Sequence, residues 1–344
     1  MPESTQSSVT LAEVAAHAGV SLATASRALN GSTRTVKPDL HARVAASART
    51  LGYVVNAQAQ AVAKGASQTV ALVLGDIADP YFAGIASGVI AAARRHRLTV
   101  TMATTGWDAA EERATVVALR AQRPRAIVLA GSRHLDVAEE ALLDRELDDF
   151  RAGGGRVAFV GAGASAGADR VVNVENRRGG RDLAVALTAL GYRDFAVLAG
   201  SPLLVTPSER VAGFLDGAAS AGRAVDPESV LPGPFSRDGG YEMMGRLLDS
   251  GRRPDCVFAV TDVMAVGAMA AVRERGLRPG ADIAVAGFDD IPMLQDVHPE
   301  LTTVGLPLSA IGERAFELAL SDDPSALADP VLGTVVVRES TPGI

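Results

Sequence analysis

Residues 9–32, VTLAEVAAHAGVSLATASRALNGS, decide how the chain is read. Thr10-Leu11-Ala12-Glu13 is a capping box, in which the threonine and glutamate side chains accept from each other's orphan N–H groups and start a helix. Leu11, Val14, Ala15 and Ala18 then recur at i, i+3, i+4 and i+7, one apolar helical face. Gly19 supplies the left-handed residue that ends a helix tightly. Val20 plugs the turn, and Ser21 caps a second helix from Leu22 to about Leu29. Two short helices joined through a glycine predict a helix-turn-helix, whose second helix can enter the major groove of DNA; an ordinary αα-hairpin is the alternative. Pro38 suits the first turn of a third helix, Pro38 to Leu51, with Leu40, Val44, Ala48 and Leu51 closing a small core.

The charge distribution is uneven in the same sense. The 344 residues carry a net charge of −7. Residues 1–65 hold six cations (Arg27, Arg34, Lys37, Arg43, Arg49, Lys64) against three anions (Glu3, Glu13, Asp39), a net of +3, so the remainder is at −10. A basic head on an acidic body suits a DNA-gripping module attached to a sensor, since only the head needs to face phosphate. The length suits two or three domains, and 48% hydrophobic residues can build a core. One cysteine, Cys256, excludes an intramolecular disulfide. The opening MPESTQSSVTL lacks the basic-then-apolar pattern of a signal peptide, and no apolar run approaches about 18 residues, so a cytoplasmic location without membrane contact is expected.

From Thr69 onward short apolar runs alternate with amphipathic stretches: TVALVLGD, LTVTMAT, RAIVLAG, VAFVGA, VVNVEN, FAVLAG, CVFAVTD and IAVAGFDD. Uninterrupted apolar strands, each followed by a helix, predict parallel sheets covered on both faces. The number of units predicts two similar lobes, with a ligand beyond the carboxyl ends of the strands. Those ends carry Asp79-Pro80-Tyr81-Phe82, whose aromatics can stack on a ring. Arg210 offers a planar fork for vicinal hydroxyls or a carboxylate. Asp262 and Asp289 can accept from hydroxyls; Asp262 can instead cap the next helix, and Asp290 suits the surface.

The run 9–32, continued through Leu51-Gly52-Tyr53 and Asn56 to Gly65, resembles the DNA-binding headpiece and hinge of the LacI/GalR family, and the resemblance extends to the C-terminus. It implies an all-α helix-turn-helix headpiece (1–55), a hinge helix and linker (56–67), and an α/β effector-binding and dimerisation domain (68–344). That domain would be a two-lobed, periplasmic-binding-protein-like sensor with parallel sheets, its N-lobe near 68–175 and 305–332 and its C-lobe near 176–304 and 333–344. The family's base-contacting positions fall on Leu22 and Ala23, which can touch thymine methyls, and on Arg27, which can fork onto guanine. Thr10, Ser21, Thr24, Ser26 and Asn30 suit phosphate contacts, and Asn56, Ala59 and Val62 the hinge. Val62 stands where a leucine usually wedges into the minor groove, so a shallower wedge is expected. Val36-Lys37-Pro38 lacks the usual serine cap, worth about 1 kcal/mol.

For the effector, the resemblance implies Tyr81, Phe82, Gly161, Arg210, Phe235, Thr261, Asp262 and Asp289. Gly161 replaces an aspartate frequent in sugar binders, Glu175-Asn176 replaces Asp-Asn, and Leu203-Leu204-Val205 is apolar, so a less polar pocket is expected. The implied function is a regulator, a repressor, that binds roughly palindromic operator DNA as a homodimer and responds to a small sugar-like effector. A C-terminus without a leucine heptad predicts no coiled-coil tetramer.

Two other readings compete. Gly161 to Gly167 follows a strand as GxGxxxG, but it leads into Val171-Val172, a strand, so the dinucleotide fingerprint lacks its helix. No His-Glu-x-x-His, Cys-x-x-Cys or Gly-x-Ser-x-Gly occurs, so no catalytic set, cofactor or metal is expected. A transporter's solute-binding protein would share the body but has no use for the basic helical head. Replacing Arg27 with Ala should weaken operator binding by about 1–3 kcal/mol and random-duplex binding little, in titrations of labelled DNA; equal losses on both would reduce Arg27 to a phosphate contact.

Overall fold

The computed structural model describes residues 9–30, 36–54, 67–161, 170–327 and 329–344, and divides into two units, Met1–Gln68 and Thr69–Ile344. In the first, three helices pack together: α1 (Leu11–His17), α2 (Leu22–Asn30) and α3 (Pro38–Leu51). The capping box is formed, with Thr10 N–H donating to Glu13 Oε2 at 2.7 Å and Glu13 N–H to Thr10 Oγ1 at 3.4 Å. Gly19 takes φ +62°, which lets Val20 fold back against the core. That core is Val14, Ala15, Ala18, Ala25, Ala28, Val44 and Ala48; Leu51 packs at its margin, while Leu40 is half-buried and outside it. Small side chains bring the helices close, and the Arg43 guanidinium seals the contact by donating to the Ala18 carbonyl at 2.6 Å. Lys37 precedes α3 without a side-chain cap; Pro38 at the first turn needs no donor partner there.

The second unit holds two parallel sheets, one per lobe. The N-lobe sheet has order β2-β1-β3-β4-β5, from β1 (Thr69–Leu74), β2 (Thr99–Thr104), β3 (Ala126–Ala130), β4 (Arg156–Val160) and β5 (Val171–Val172). Every residue of β1 after Thr69 is buried, as a central strand covered on both faces requires, whereas β2 is a half-exposed edge. Helices α4 (Pro80–Arg95), α5 (Ala109–Ala121) and α6 (Val137–Ala152) complete the crossovers. The C-lobe sheet, order β7-β6-β8-β9, is built from β6 (Phe195–Gly200), β7 (Val230–Pro232), β8 (Cys256–Ala259) and β9 (Ala284–Ala286), with α7 (Asn176–Ala189), α8 (Val205–Ser220), α9 (Arg237–Asp249) and α10 (Asp262–Glu274). β10 (Thr303–Gly305), which pairs antiparallel with β11 (Thr334–Val336) in the C-terminal segment, was not legible in the alternation, and neither was β7. Between β10 and β11 the chain returns to the N-lobe as α11 (Leu308–Leu320), which packs on α4.

The chain therefore passes between lobes at three places. They gather where Glu175 N–H bonds Val331 O at 3.0 Å, Val331 N–H bonds Asn173 O at 2.7 Å, and Asp289 bridges to Gly305. All three lie at the β5 and β9 ends of the two sheets, so the backbone joins the lobes on this side.

Close helix approach positions the site. A Cβ at Gly213 would lie 1.9 Å from the Arg177 carbonyl oxygen, and one at Gly180 would lie 2.3 Å from that of Arg210, so α7 and α8 touch backbone to backbone. Gly213→Ala gains helix propensity, about 1 kcal/mol, but must push the helices apart. The expected outcome is a net loss of roughly 1–3 kcal/mol, read as a lowered urea midpoint.

Candidate functional site

In the first unit, α2 buries Ala25 and Ala28 and turns the opposite face outward. Ser21, Leu22, Ala23 and Arg27 are exposed, Leu22 by 54%, which removes it from the core. Arg27 Nε donates to the Ala23 carbonyl at 3.0 Å, laying the side chain along the helix with its terminal nitrogens unbonded among the described residues. Ser21 Oγ accepts from Thr24 N–H at 3.2 Å, capping the helix, and lies 2.8 Å from Thr24 Oγ1, so the two hydroxyls bond each other. Thr10 is engaged with Glu13, whose carboxyl its backbone N–H, and then its hydroxyl, hold below the usual range. Ser26 is half-buried on the same helix and α2 closes on Asn30. Asn56, Ala59 and Val62 lie outside the described residues.

In the second unit a narrow cleft lies between the lobes, beyond the strands' carboxyl ends. Tyr81, Phe82, Gly161, Arg210, Phe235, Thr261 and Asp289 line it, together with Asp79, Trp107, Ser132, Asn176 and Thr206. Arg210 is 2% exposed. Its Nε donates to Asn176 Oδ1 at 2.9 Å, Nη1 to the Val260 carbonyl at 2.7 Å and Nη2 to Asp289 Oδ1 at 2.8 Å, while the guanidinium stacks 3.9 Å from the Phe288 ring centroid. Three donors used from a fork of five leave two for a ligand. Burial pushes the Asp289 carboxyl well above its ordinary range; Arg210 opposes this, and Asp262 and Asp79 add to it. Asp289 also holds φ +121°, a strained conformation for a non-glycine residue, fixed by its N–H to Val304 O at 2.8 Å. Asp79 caps α4 through Tyr81 N–H at 2.9 Å, and burial raises its carboxyl too.

Asp262 is the exception. Thr261 takes the cap of α10, accepting from Met264 N–H, and its wall position in the cleft; Asp262, one residue on, turns into the C-lobe. There it is fully buried, accepting from Thr303 Oγ1 at 2.6 Å and Ile291 N–H at 3.0 Å. It neither lines the cleft nor caps the helix. Asp290 pairs with Arg338 at 2.7 Å. Leu203, Leu204 and Val205 do not line the cavity either; the first is exposed and the second buried, so the apolar wall has another source.

That source is aromatic. Tyr81 meets Phe82 edge-on at 4.9 Å, Phe82 lies 5.4 Å from Trp107, and Trp107 of the N-lobe meets Phe235 of the C-lobe edge-on at 5.0 Å. Trp107 was missed, although a lone tryptophan after a glycine at the end of LTVTMATTGW was a signal. Ser132 and Thr206 were missed because neither is distinctive without its partner: Thr206 N–H donates to Ser132 Oγ across the lobes at 2.9 Å. Among the described residues no group of His, Cys, Asp and Glu is placed to hold a metal ion, and no helix is long and apolar enough to cross a membrane.

Burial pushes Asp262 up to about 6 against hydrogen bonds from Thr303 and Ile291. A raised carboxyl stabilises the fold in its protonated form, fully below the ordinary value of 3.8, and that contribution is lost as pH rises through about 6. From pH 5 to 7.5 the wild type should lose about 1–2 kcal/mol of unfolding free energy that Asp262→Asn does not, measured by urea unfolding at both pH values.

Comparison with known proteins fits this geometry. The model for bacterial regulatory proteins of the lacI family matches residues 10–56, and that for the periplasmic binding protein-like domain matches residues 184–341. The chain is 33% identical over 312 residues to the HTH-type transcriptional regulator GalS of Salmonella typhimurium, covering 91% of this chain and 89% of that protein. It is 32% identical over 340 residues to the HTH-type transcriptional regulator CelR of Thermobifida fusca, covering 96% and 98%. Among solved structures, the transcriptional regulator CelR–cellobiose complex matches with a TM-score of 0.69 at 30% identity, over 96% of this chain and 99% of that one. The lac repressor dimer bound to operator and the anti-inducer ONPF matches with a TM-score of 0.78 at 25% identity, over 97% and 99%. With an exposed helix face on a small basic head and a two-lobed domain following it in the sequence, the chain belongs to the LacI family of DNA-binding transcriptional regulators.

Proposed function

We propose that this regulator is a cytoplasmic homodimeric repressor, not an enzyme, that grips a roughly palindromic operator and alters its grip when a small, hydroxyl-bearing effector occupies the cleft. The observation that carries the reading is the buried Arg210–Asp289 pair facing aromatic rings across one cavity. A guanidinium with spare donors beside a carboxylate with a spare oxygen matches vicinal hydroxyls, while ring faces match the C–H surface of a sugar. The relatives point the same way: CelR is solved with cellobiose, and the lac repressor with operator and a small ligand.

On DNA, Leu22, Ala23 and Arg27 would face base edges, with Thr10, Ser21, Thr24, Ser26 and Asn30 at phosphates and Asn56, Ala59 and Val62 at the hinge. Two heads on one site bind with the effective concentration that dimerisation supplies. If the effector changes operator affinity by some factor, operator changes effector affinity by the same factor. A solute-binding role would leave the exposed face of α2 without a purpose.

The test is a thermal-shift screen of sugars and related metabolites, followed by anisotropy titration of the gene's own upstream DNA with and without each hit. The expected result is a hit that changes operator affinity by about 5–150-fold, with a reciprocal change in hit affinity when operator is present. Hits that leave operator affinity unchanged would overturn the coupling.

A further inference from the structure

We propose that Arg94, Arg97, Arg123 and Arg125 form a second DNA-binding surface, on the effector domain itself, that grips the phosphate backbone of duplex alongside the site held by the headpiece. The inference is independent of the effector reading and rests only on the chain's binding of DNA.

Sheet register gathers the four. β1 pairs with β2 from Thr69 and Thr99 onward and with β3 from Val70 and Ala126 onward, so the three strands start side by side. Arg97 stands two residues before β2, Arg125 one before β3, Arg94 in the last turn of α4 and Arg123 just past α5. All lie at the amino ends of these strands, the end away from the cleft, around Thr69, where the chain enters the second unit. Arg125 N–H donates to the Thr69 carbonyl at 2.9 Å, which ties the rim to that entry point.

Two of the four are held in an unfavourable backbone conformation. Seven helices of the chain, α1, α3 and α6 to α10, close on a left-handed glycine, as at Gly222 (φ +75°) and Gly276 (φ +73°). Helices α4 and α5 close instead on Arg97 (φ +56°) and Arg123 (φ +51°). Glycine takes this conformation freely, whereas a long side chain does so rarely. The other left-handed non-glycine residues among those described, Trp107, Asp289 and Asp290, belong to the cleft or adjoin it. Strain kept outside the cleft is therefore spent on two arginines at one rim, and retained strain marks sites where the side chain has work to do.

That work is not helix capping. Leu98 N–H bonds Ala93 O at 2.9 Å, Arg97 N–H bonds Arg94 O at 3.1 Å and Arg123 N–H bonds Arg120 O at 2.9 Å, so the backbone closes both helices unaided. Elsewhere arginine side chains do serve such carbonyls, as Arg253 Nη1 serves Leu248 O at 2.8 Å, or are answered by acids, as Arg95 is by Glu313 and Glu317. Arg94, Arg97, Arg123 and Arg125 are exposed, and among the described residues their guanidiniums meet neither a carboxylate nor a carbonyl.

Uncompensated guanidiniums on a body whose net charge is −10 call for an anionic partner, and the planar fork matches phosphate oxygens. Three adjacent strands span about 10 Å. That is wider than one phosphate group and suits a run of them along a duplex, which carries a charge about every 3.4 Å of each strand.

Full-length protein is titrated by anisotropy against a labelled duplex of the gene's own upstream DNA across a salt series. The double variant Arg97→Gly with Arg123→Gly removes both charges and both strained conformations. It should bind about tenfold more weakly and flatten the slope of log affinity against log salt by about 2–4, since a dimer loses four phosphate contacts. Its urea midpoint should be no lower than that of wild type. Arg97→Lys with Arg123→Lys keeps the charge and should keep most of the affinity and the slope. Wild-type affinity and slope in the glycine variant, or equal losses in the glycine and lysine variants, would overturn the rim and leave the headpiece reading standing. A wild type that binds no upstream duplex would overturn the rim and the operator reading together.

Discussion

Arg210 is a guanidinium with almost no access to water, and elements from across the C-lobe converge to keep it satisfied. Removing a guanidinium and a carboxylate from solvent costs several kcal/mol for each ion, recovered only where geometry supplies good partners. Here the partners come from separate elements: Asn176 opens α7, the Val260 carbonyl follows β8, and Asp289 and the Phe288 face follow β9. Each must be in place before the charge is tolerated, and the backbone contact of α7 with α8 at Gly180 and Gly213 brings Asn176 within reach. The result is a cleft floor that is ordered by the fold itself, which lowers the cost of binding a ligand there.

The electrostatics of that floor favour hydroxyls as partners. Asp79 and Asp289 share the cavity with one guanidinium, and burial raises both carboxyls. Acceptors outnumber the cation, so a ligand that brings neutral donors relieves the imbalance better than another carboxylate would. The rings of Tyr81, Phe82, Trp107 and Phe235 then set the apolar side, and because the last two belong to different lobes, the pocket is complete only when the lobes are together. A binding site whose two halves belong to separate lobes ties ligand affinity to the arrangement of those lobes.

Much of this was legible in the chain. The capping box at Thr10 and Glu13, the left-handed Gly19 and the proline opening α3 act over three or four residues, and they placed the headpiece helices within a residue or two. The central strands announced themselves because burial on both faces demands unbroken apolar runs, as in TVALVL. Arg210, Asp289, Tyr81 and Phe82 were recognisable from their places in family-like segments at the strand ends. Asp262 was not, because one step along a helix rotates a side chain by about 100°, and that step separates the cleft wall from the C-lobe interior. Only the arrival of Thr303 and the Ile291 N–H settled which way it faces.

What the amino-acid order determined by itself was the set of local elements, the basic head and acidic body, and the kinds of chemistry waiting at the strand ends, since each depends on near neighbours and on periodic burial. What the tertiary structure decided was which of those groups meet. The indole of Trp107 against Phe235, Ser132 against the Thr206 N–H, and Asp262 turned away from the ligand all join residues far apart in the chain. Such pairings are set by how whole layers pack and how two lobes close, a global balance that leaves no mark in any short stretch of sequence.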